Sequence, residues 1–440
     1  MPLIYKLMKR IVYHIIAAAA AVCLWGCGEN YPRENILKIY NWSDYIDEDL
    51  IEEFEEWYEE QTGEPVHIVY QLFDINEVML AKIERGFADF DLACPSDYII
   101  ERMIAHDLVL PIDKDFGDTP NYLGNVSPYM NNLLSKVEGN GKNPNDYAVP
   151  YMWGTTGFLY NSKMVKAEEL TSWKALWNPK FAQKMFIKDA FRDVYCPLLI
   201  YAKYDEIMAG TVDIDSLMYD TSDESIALVE SMLSEIRPSV LGWEADFGKE
   251  MMTQEVALLN LSWSGDAKWA IDEALDVGVE LDYIVPSEGS NVWFDGWVIP
   301  KYAVNTKAAS YFINYMCKPE NAIRNMDVVG YVSAVATPEV LETMIETAIE
   351  WGRTEPIDAS YFFGPEADSV ILDPVLYADK SIIDRCALMH DSGDRTEALL
   401  EMWQRVKGDS LNNWILILIS VTLATMLVLG IRRKILKRHK

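Results

Sequence analysis

Near its start the chain alternates between two hydrophobic periods, and this pattern restricts the fold more than any other feature. Leu37-Lys38-Ile39-Tyr40 reads as a short strand, and Leu50, Ile51, Phe54, Trp57 and Tyr58 then recur at helical spacing on an acidic helix. Gly63 and Pro65 end that helix, after which Val66, Ile68, Tyr70 and Leu72 alternate as a strand. A second amphipathic helix is expected around 78–83, and Phe90-Asp91-Leu92-Ala93 has the pattern of a buried strand stopped by Pro95. A β-α-β-α-β order implies a parallel sheet with helices on its faces. Ligands of such sheets bind beyond the carboxyl ends of the strands. The loops 41–45 and 94–98 are therefore eligible for a site. The glutamates of 52–60 read instead as a solvated helix face.

A second set of mixed elements is expected from about 150 to 290, bracketed by two aromatic-rich extended stretches, Pro150-Tyr151-Met152-Trp153 and Trp293-Phe294-Asp295-Gly296-Trp297. These read as crossings between two lobes, with further helices up to about 409. At 440 residues and 50% hydrophobic composition, the chain can bury the large core that such a pair of lobes requires.

Both ends read as targeting segments. A basic stretch, an apolar run over 11–25 and Gly26-Cys27 form a signal-peptide pattern over 1–27. Leu24-Trp25-Gly26-Cys27 resembles a bacterial lipoprotein box, which makes Cys27 the lipidation candidate. Residues 414–431 carry no charge and reach the ~17–25 residues that a membrane-spanning helix needs. The basic tail 432–440 is then expected in the cytoplasm, with the acidic domain outside.

The formal net charge is −31, although both ends are basic. A surface this acidic repels nucleic acid and anionic lipid and attracts cations. Of the six cysteines, Cys94, Cys196, Cys317 and Cys386 fall in the domain and are scattered, with no CxxC pair. Metal-ligand spacing is therefore absent, and disulfide pairing stays open. No nucleophile elbow, HExxH or phosphate-binding glycine loop occurs, and no cofactor is implied. Paired carboxylates leave a carbohydrate-active enzyme as a remote alternative.

Several motifs, in order over roughly residues 36–408, make the chain similar to the polyamine-binding periplasmic proteins of bacterial ABC transporters. They are Asn41-Trp42-Ser43-Asp44-Tyr45, Phe90-Asp91-Leu92 with Pro95-Ser96, and Pro150-Tyr151-Met152-Trp153-Gly154-Thr155-Thr156-Gly157. Ser262-Trp263-Ser264-Gly265-Asp266, Trp293-Phe294-Asp295 and Val329-Gly330-Tyr331 complete the set. The resemblance implies an α/β, two-lobed periplasmic-binding-protein fold of type II. Lobe 1 would comprise 36–148 plus 296–338, and lobe 2 would comprise 149–295 plus 339–409. It further implies a non-enzymatic role, delivering putrescine or spermidine to an ABC permease with a cytoplasmic ATPase.

Family site residues fall on Trp42, Ser43, Tyr45, Ser96, Tyr98, Trp263, Trp293, Asp295 and Tyr331. Asp44 and Asp266 are acids of the putrescine-selective branch, whereas Asp189 and Asp193 align, across a one-residue insertion, with an acidic pair of the spermidine branch. A glutamine of that branch is replaced here by Met389. The C-terminal membrane helix is not the usual family pattern.

The chemistry of these residues suits a linear cation. Each ammonium needs a carboxylate, because an unpaired charge in a closed cleft is costly. The methylenes and ammonium faces favour aromatic walls, worth ~0.5–2 kcal/mol for a cation over Trp. Asp295 and Asp266 are expected to hold one amine, and Asp44 or the Asp189/Asp193 region the other. Two structural roles stay open, with Asp44 and Asp266 as helix caps. A membrane-tethered sensor is the alternative function, although 432–440 is too short to signal alone.

Overall fold

The computed structural model describes residues 31–86 and 89–408. The signal and lipoprotein-box segment with Cys27, the 414–431 stretch and the basic tail lie outside these residues. Among the described residues, no helix is long and apolar enough to cross a membrane.

The N-terminal alternation forms as the hydrophobic periods require. Strand β1 (Ile36–Trp42) pairs in parallel with β2 (His67–Phe73) and with the short β3 (Leu92–Ala93). Helices Asp49–Thr62 and Asn76–Glu84 make the connections. Leu50, Phe54 and Tyr58 are the buried stripe of the first helix, and its glutamates face outward or are half-buried. Gly63 ends it at φ +71°, the left-handed conformation that favours glycine. The third strand is shorter than Phe90–Ala93, and just before it the Asp91 carboxylate accepts from Arg33 and from the backbone N–H groups of Lys38, Val304 and Asn305.

Strands β4 (Val109–Leu110), β5 (Ala148–Asn161), β6 (Met185–Lys188) and β7 (Val240–Glu244) follow in the chain. Next come β8 (Leu259–Trp263), β9 (Leu281–Ile284), β10 (Asn291–Pro300), β11 (Val332–Ser333) and β12 (Ala387–Leu388). The main strand order is β2-β1-β3-β10-β5-β8-β6-β7. Both aromatic-rich stretches lie in the long central strands, and β5 and β10 run antiparallel from Val292↔Thr155 to Val298↔Ala148. Beyond Thr155, β5 continues into antiparallel pairing with β8 and β9, while β6 pairs in parallel with β7 and β8. One parallel group thus flanks each end of a shared antiparallel pair. Every residue of β5 and β10 is buried, so the pair forms the floor on which both halves meet.

The four described cysteines are free, and Cys94, Cys196 and Cys317 are buried.

Candidate ligand-binding cleft

The candidate cleft gathers residues from the ends of β1, β3, β6 and β8 and from β10; β3 pairs with β10, whereas β8 and β6 lie beyond β5. The ladder between β5 and β10 has an irregularity at Asp295/Gly296, where Asp295 faces Met152 but Gly296 faces Pro150. Such a bulge re-aims side chains. Here Asp295 makes an isolated antiparallel bridge with Ser96, at the start of helix Asp97–Ala105, and Gly296 N donates to Pro95 O at 3.0 Å.

The Asp295 carboxylate is 7% exposed. One oxygen accepts from Ser96 Oγ at 2.6 Å and the other from Tyr45 OH at 2.7 Å. Burial pushes its pKa up to about 6; the two hydroxyl donors oppose the shift and the nearby Asp193 adds to it. Among the described residues it forms no ion pair. Asn76, which opens the helix after β2, supports the arrangement by donating to Ser96 Oγ at 3.0 Å and Tyr98 OH at 2.9 Å.

Aromatic rings line the space around this acid. Tyr45 packs edge-on against Tyr331 at 5.2 Å, and Trp293 lies 5.8 Å from Tyr331. Trp42 packs on Phe73 at 4.4 Å. Trp293 requires a glycine opposite it: a Cβ on Gly154 would lie 2.7 Å from the indole and 2.5 Å from Ser264 Oγ.

Asp193 enters from the first turn of helix Phe191–Ala202, where it is 8% exposed. It accepts from Asn291 Nδ2 at 3.0 Å and Thr156 Oγ1 at 3.3 Å, and the Trp263 indole also bonds to it. Burial raises its pKa despite these donors. Asn291 also approaches Met389 Sδ at 3.4 Å, so the methionine borders this end of the cleft. Asn291, Trp293 and Asp295 alternate along β10 and so share a face.

Asp266 differs in being already paired. It lies in the first turn of helix Ser264–Asp276, after Trp263 at the N-cap, so it does not cap the helix. Lys188 Nζ donates to one oxygen at 2.7 Å, and Tyr331 OH donates to the other at 2.8 Å, with Lys249 Nζ at 3.4 Å. Burial disfavours the Asp266 carboxylate, but Lys188 and Lys249 outweigh burial and hold its pKa below the ordinary value. Lys188 itself is fully buried at the end of β6 and lies 4.1 Å over the Trp263 ring.

Ser43 and Asp44 stand apart from the buried group. Both are exposed, Asp44 has φ +50°, and Ser43 Oγ approaches Asp74 at 3.4 Å. Asp44 does not cap the following helix, whose N-cap is Glu48. Asp189 is not brought into the group either. It accepts from Trp403 Nε1 at 2.8 Å and Lys407 Nζ at 2.7 Å, which ties it to helix Thr396–Lys407. Arg192, three residues further on, packs across to the other flank. The Arg192 guanidinium lies 3.9 Å over Tyr98 and bonds Glu77 at 3.0 Å.

Lys188, Arg192, Asn76 and Asn291 are therefore candidate site residues that the sequence pattern does not single out. One signal was present for Lys188, a cation closing the otherwise apolar run Met185-Phe186-Ile187.

Comparison with known proteins gives the same architecture. A spermidine/putrescine ABC transporter substrate-binding protein from Streptococcus pneumoniae superposes with a TM-score of 0.62 at 27% identity, covering 85% of this chain and 100% of that one. The spermidine/putrescine-binding periplasmic protein of Salmonella typhimurium is 27% identical over 404 residues, 91% of this chain and 99% of the relative. A putrescine-binding periplasmic protein of Pseudomonas aeruginosa is 30% identical over 349 residues, 77% of this chain and 89% of the relative. Residues 49–348 match the family described as bacterial extracellular solute-binding protein. The α/β fold is the periplasmic-binding-protein fold, and the chain belongs to the bacterial extracellular solute-binding protein family.

Proposed function

We propose that this chain captures a polyamine of the putrescine or spermidine type outside the cytoplasm and delivers it to an ABC permease. The observation that carries this reading is Asp295, a buried carboxylate met by two hydroxyls, with no cation paired to it among the described residues and with aromatic rings around it. A site so built favours an ammonium group, which supplies the missing charge and rests its carbon chain on the rings. The names of the relatives point to the same ligand class.

In this reading Asp295 and Asp193 hold ammonium groups, and Trp42, Tyr45, Tyr98, Trp263, Trp293 and Tyr331 form the walls, with Ser96 orienting Asp295. Ser43 and Asp44 stand at the rim. The lobes are 36–148 plus 296–338 and 149–295 plus 339–409, closing about β5 and β10. Lipidation at Cys27 and a helix over 414–431 would keep the domain beside its permease, raising local concentration.

Calorimetric titration of the full chain with putrescine, spermidine, cadaverine and agmatine tests the reading, with Asp295→Asn alongside. Micromolar or tighter binding of one amine, lost in the variant, is expected. A folded wild-type protein that binds none of them would refute it.

A further inference from the structure

Asp295, Asp193 and Asp266 are buried acids around this cleft, and of these three only Asp266 forms an ion pair. Asp295 and Asp193 are met by hydroxyl, amide and indole donors, whereas Asp266 is bonded by Lys188. The Lys188 ammonium has the surroundings expected of a bound ligand amine. It bonds Asp266 Oδ2 at 2.7 Å and Ala245 O at 3.0 Å, pairs with Glu244 at 3.2 Å, and stands 4.1 Å above an indole face. It is fully buried, and Glu244 is held in place by Gly248 N–H at 3.0 Å. Lys249 adds a second cation to Asp266 and is itself shared with the exposed Asp246.

We infer that Lys188 is a tethered ammonium that fills one of three ammonium positions, so that the cleft selects diamines over triamines. The inference rests on the amine reading of the site and narrows it. The two open positions are read by Asp295 and by Asp193, and the ligand lies along the β10 face that carries Asn291, Trp293 and Asp295. The third charge of a triamine finds Asp266 neutralised and meets the Lys188 ammonium instead, a like-charge contact in a place with little water.

The test compares 1,4-diaminobutane with spermidine on the full chain, wild type and Lys188→Met, by calorimetry. The expected result is that the wild type binds the diamine at least tenfold more tightly, and that Lys188→Met raises the spermidine-to-diamine affinity ratio at least tenfold. Lys188→Gln, which keeps a hydrogen-bond donor beside Asp266, serves if the methionine variant loses its cooperative melt, and the same shift is expected. Wild-type preference for spermidine overturns the proposal whatever the variants do. An unchanged ratio in a folded variant that binds amines tightly also overturns it, while leaving the amine reading intact. If the wild type binds neither amine, both fail together.

Discussion

The Arg192 guanidinium lies 3.9 Å over the ring of Tyr98, which joins the helix that follows β6 to the helix that follows β3. Its Nη1 also bonds Glu77 Oε1 at 3.0 Å, on the helix after β2. One side chain from one flank of the central strands therefore grips two helices of the other flank. Arg192 is nearly buried and the Glu77 side chain is 38% exposed, so the stacking contact contributes more than the ion pair. A desolvated cation–π contact contributes ~0.5–2 kcal/mol, against roughly 0–1 for a partly exposed pair. Arg192→Ala is expected to weaken ligand binding about 3- to 30-fold, mainly through faster dissociation, and Glu77→Gln less than about fivefold. Stopped-flow measurement of both rate constants checks this, and an unchanged dissociation rate in Arg192→Ala would show that the contact does not hold the cleft shut.

Asp295 is expected to make binding depend on pH in a definite direction. Its pKa in the ligand-free fold is raised to about 6 by burial, while a cationic ligand needs the ionised form. Above pH 6 the carboxylate is already charged and affinity should be flat. As pH falls through 6 the free protein takes up a proton that the ligand must displace. Affinity then drops about tenfold per pH unit, and more steeply where Asp193, also raised by burial, titrates as well. Stability of the ligand-free protein moves the opposite way. A carboxyl raised above its unfolded value of about 3.9 favours the fold when protonated, so this contribution is lost as pH rises from about 4 to 6. Calorimetry at pH 5.5 in two buffers of different ionisation enthalpy should detect proton release on binding, and at pH 8 almost none. Equal proton release at both would exclude Asp295 as the titrating group.

Asp189 should behave as a structural residue. Its bonds to Trp403 and Lys407 attach helix Thr396–Lys407, whose Trp403 also meets Trp243 edge-on at 5.0 Å. Asp189→Asn is expected to cost about 1 kcal/mol, a fall in Tm of roughly 1–4 °C, with Kd within about threefold of wild type. Thermal melts and titrations of the same preparation test it, and a hundredfold loss of affinity at unchanged Tm would return Asp189 to the ligand.

Much of this arrangement is legible in the sequence because it follows from periodicity. The alternation from Leu37 to Ala93 specifies parallel strands with crossover helices, and the long apolar stretches ending in Trp153 and Trp297 specify strands buried on both faces. Tyr45 and Ser96 follow the ends of β1 and β3, and Asp295 lies at the irregularity in the middle of β10, which brings the three together. What periodicity does not encode is which acid already has a partner. Lys188 and Asp266 are far apart in sequence, and only the pairing of β6 with β8 brings them together. The same applies to Asp189 and Asp193, four residues apart but separated by the turn into helix Phe191–Ala202, so that one faces Lys407 and the other Asn291.

Gly265 offers a further test, in which two effects of opposite sign compete. It lies in the first turn of helix Ser264–Asp276, and alanine is the better helix former by up to ~1 kcal/mol. A Cβ there would lie 2.3 Å from Cγ and Cδ1 of Tyr331. Those atoms sit at the base of the ring, where rotation cannot carry them far, so the clash should win and cost about 1–3 kcal/mol. Displacing the ring breaks the Tyr331 hydroxyl bond to Asp266 and loosens its contacts with Tyr45 and Trp293. Gly265→Ala is therefore expected to lower Tm and to weaken ligand binding at least tenfold. Adding Tyr331→Ala removes the obstructing ring, so the double variant should be more stable than the sum of the two single losses predicts. A Gly265→Ala protein as stable as wild type, with unchanged affinity, would show that Tyr331 can shift freely and does not help to shape the cleft.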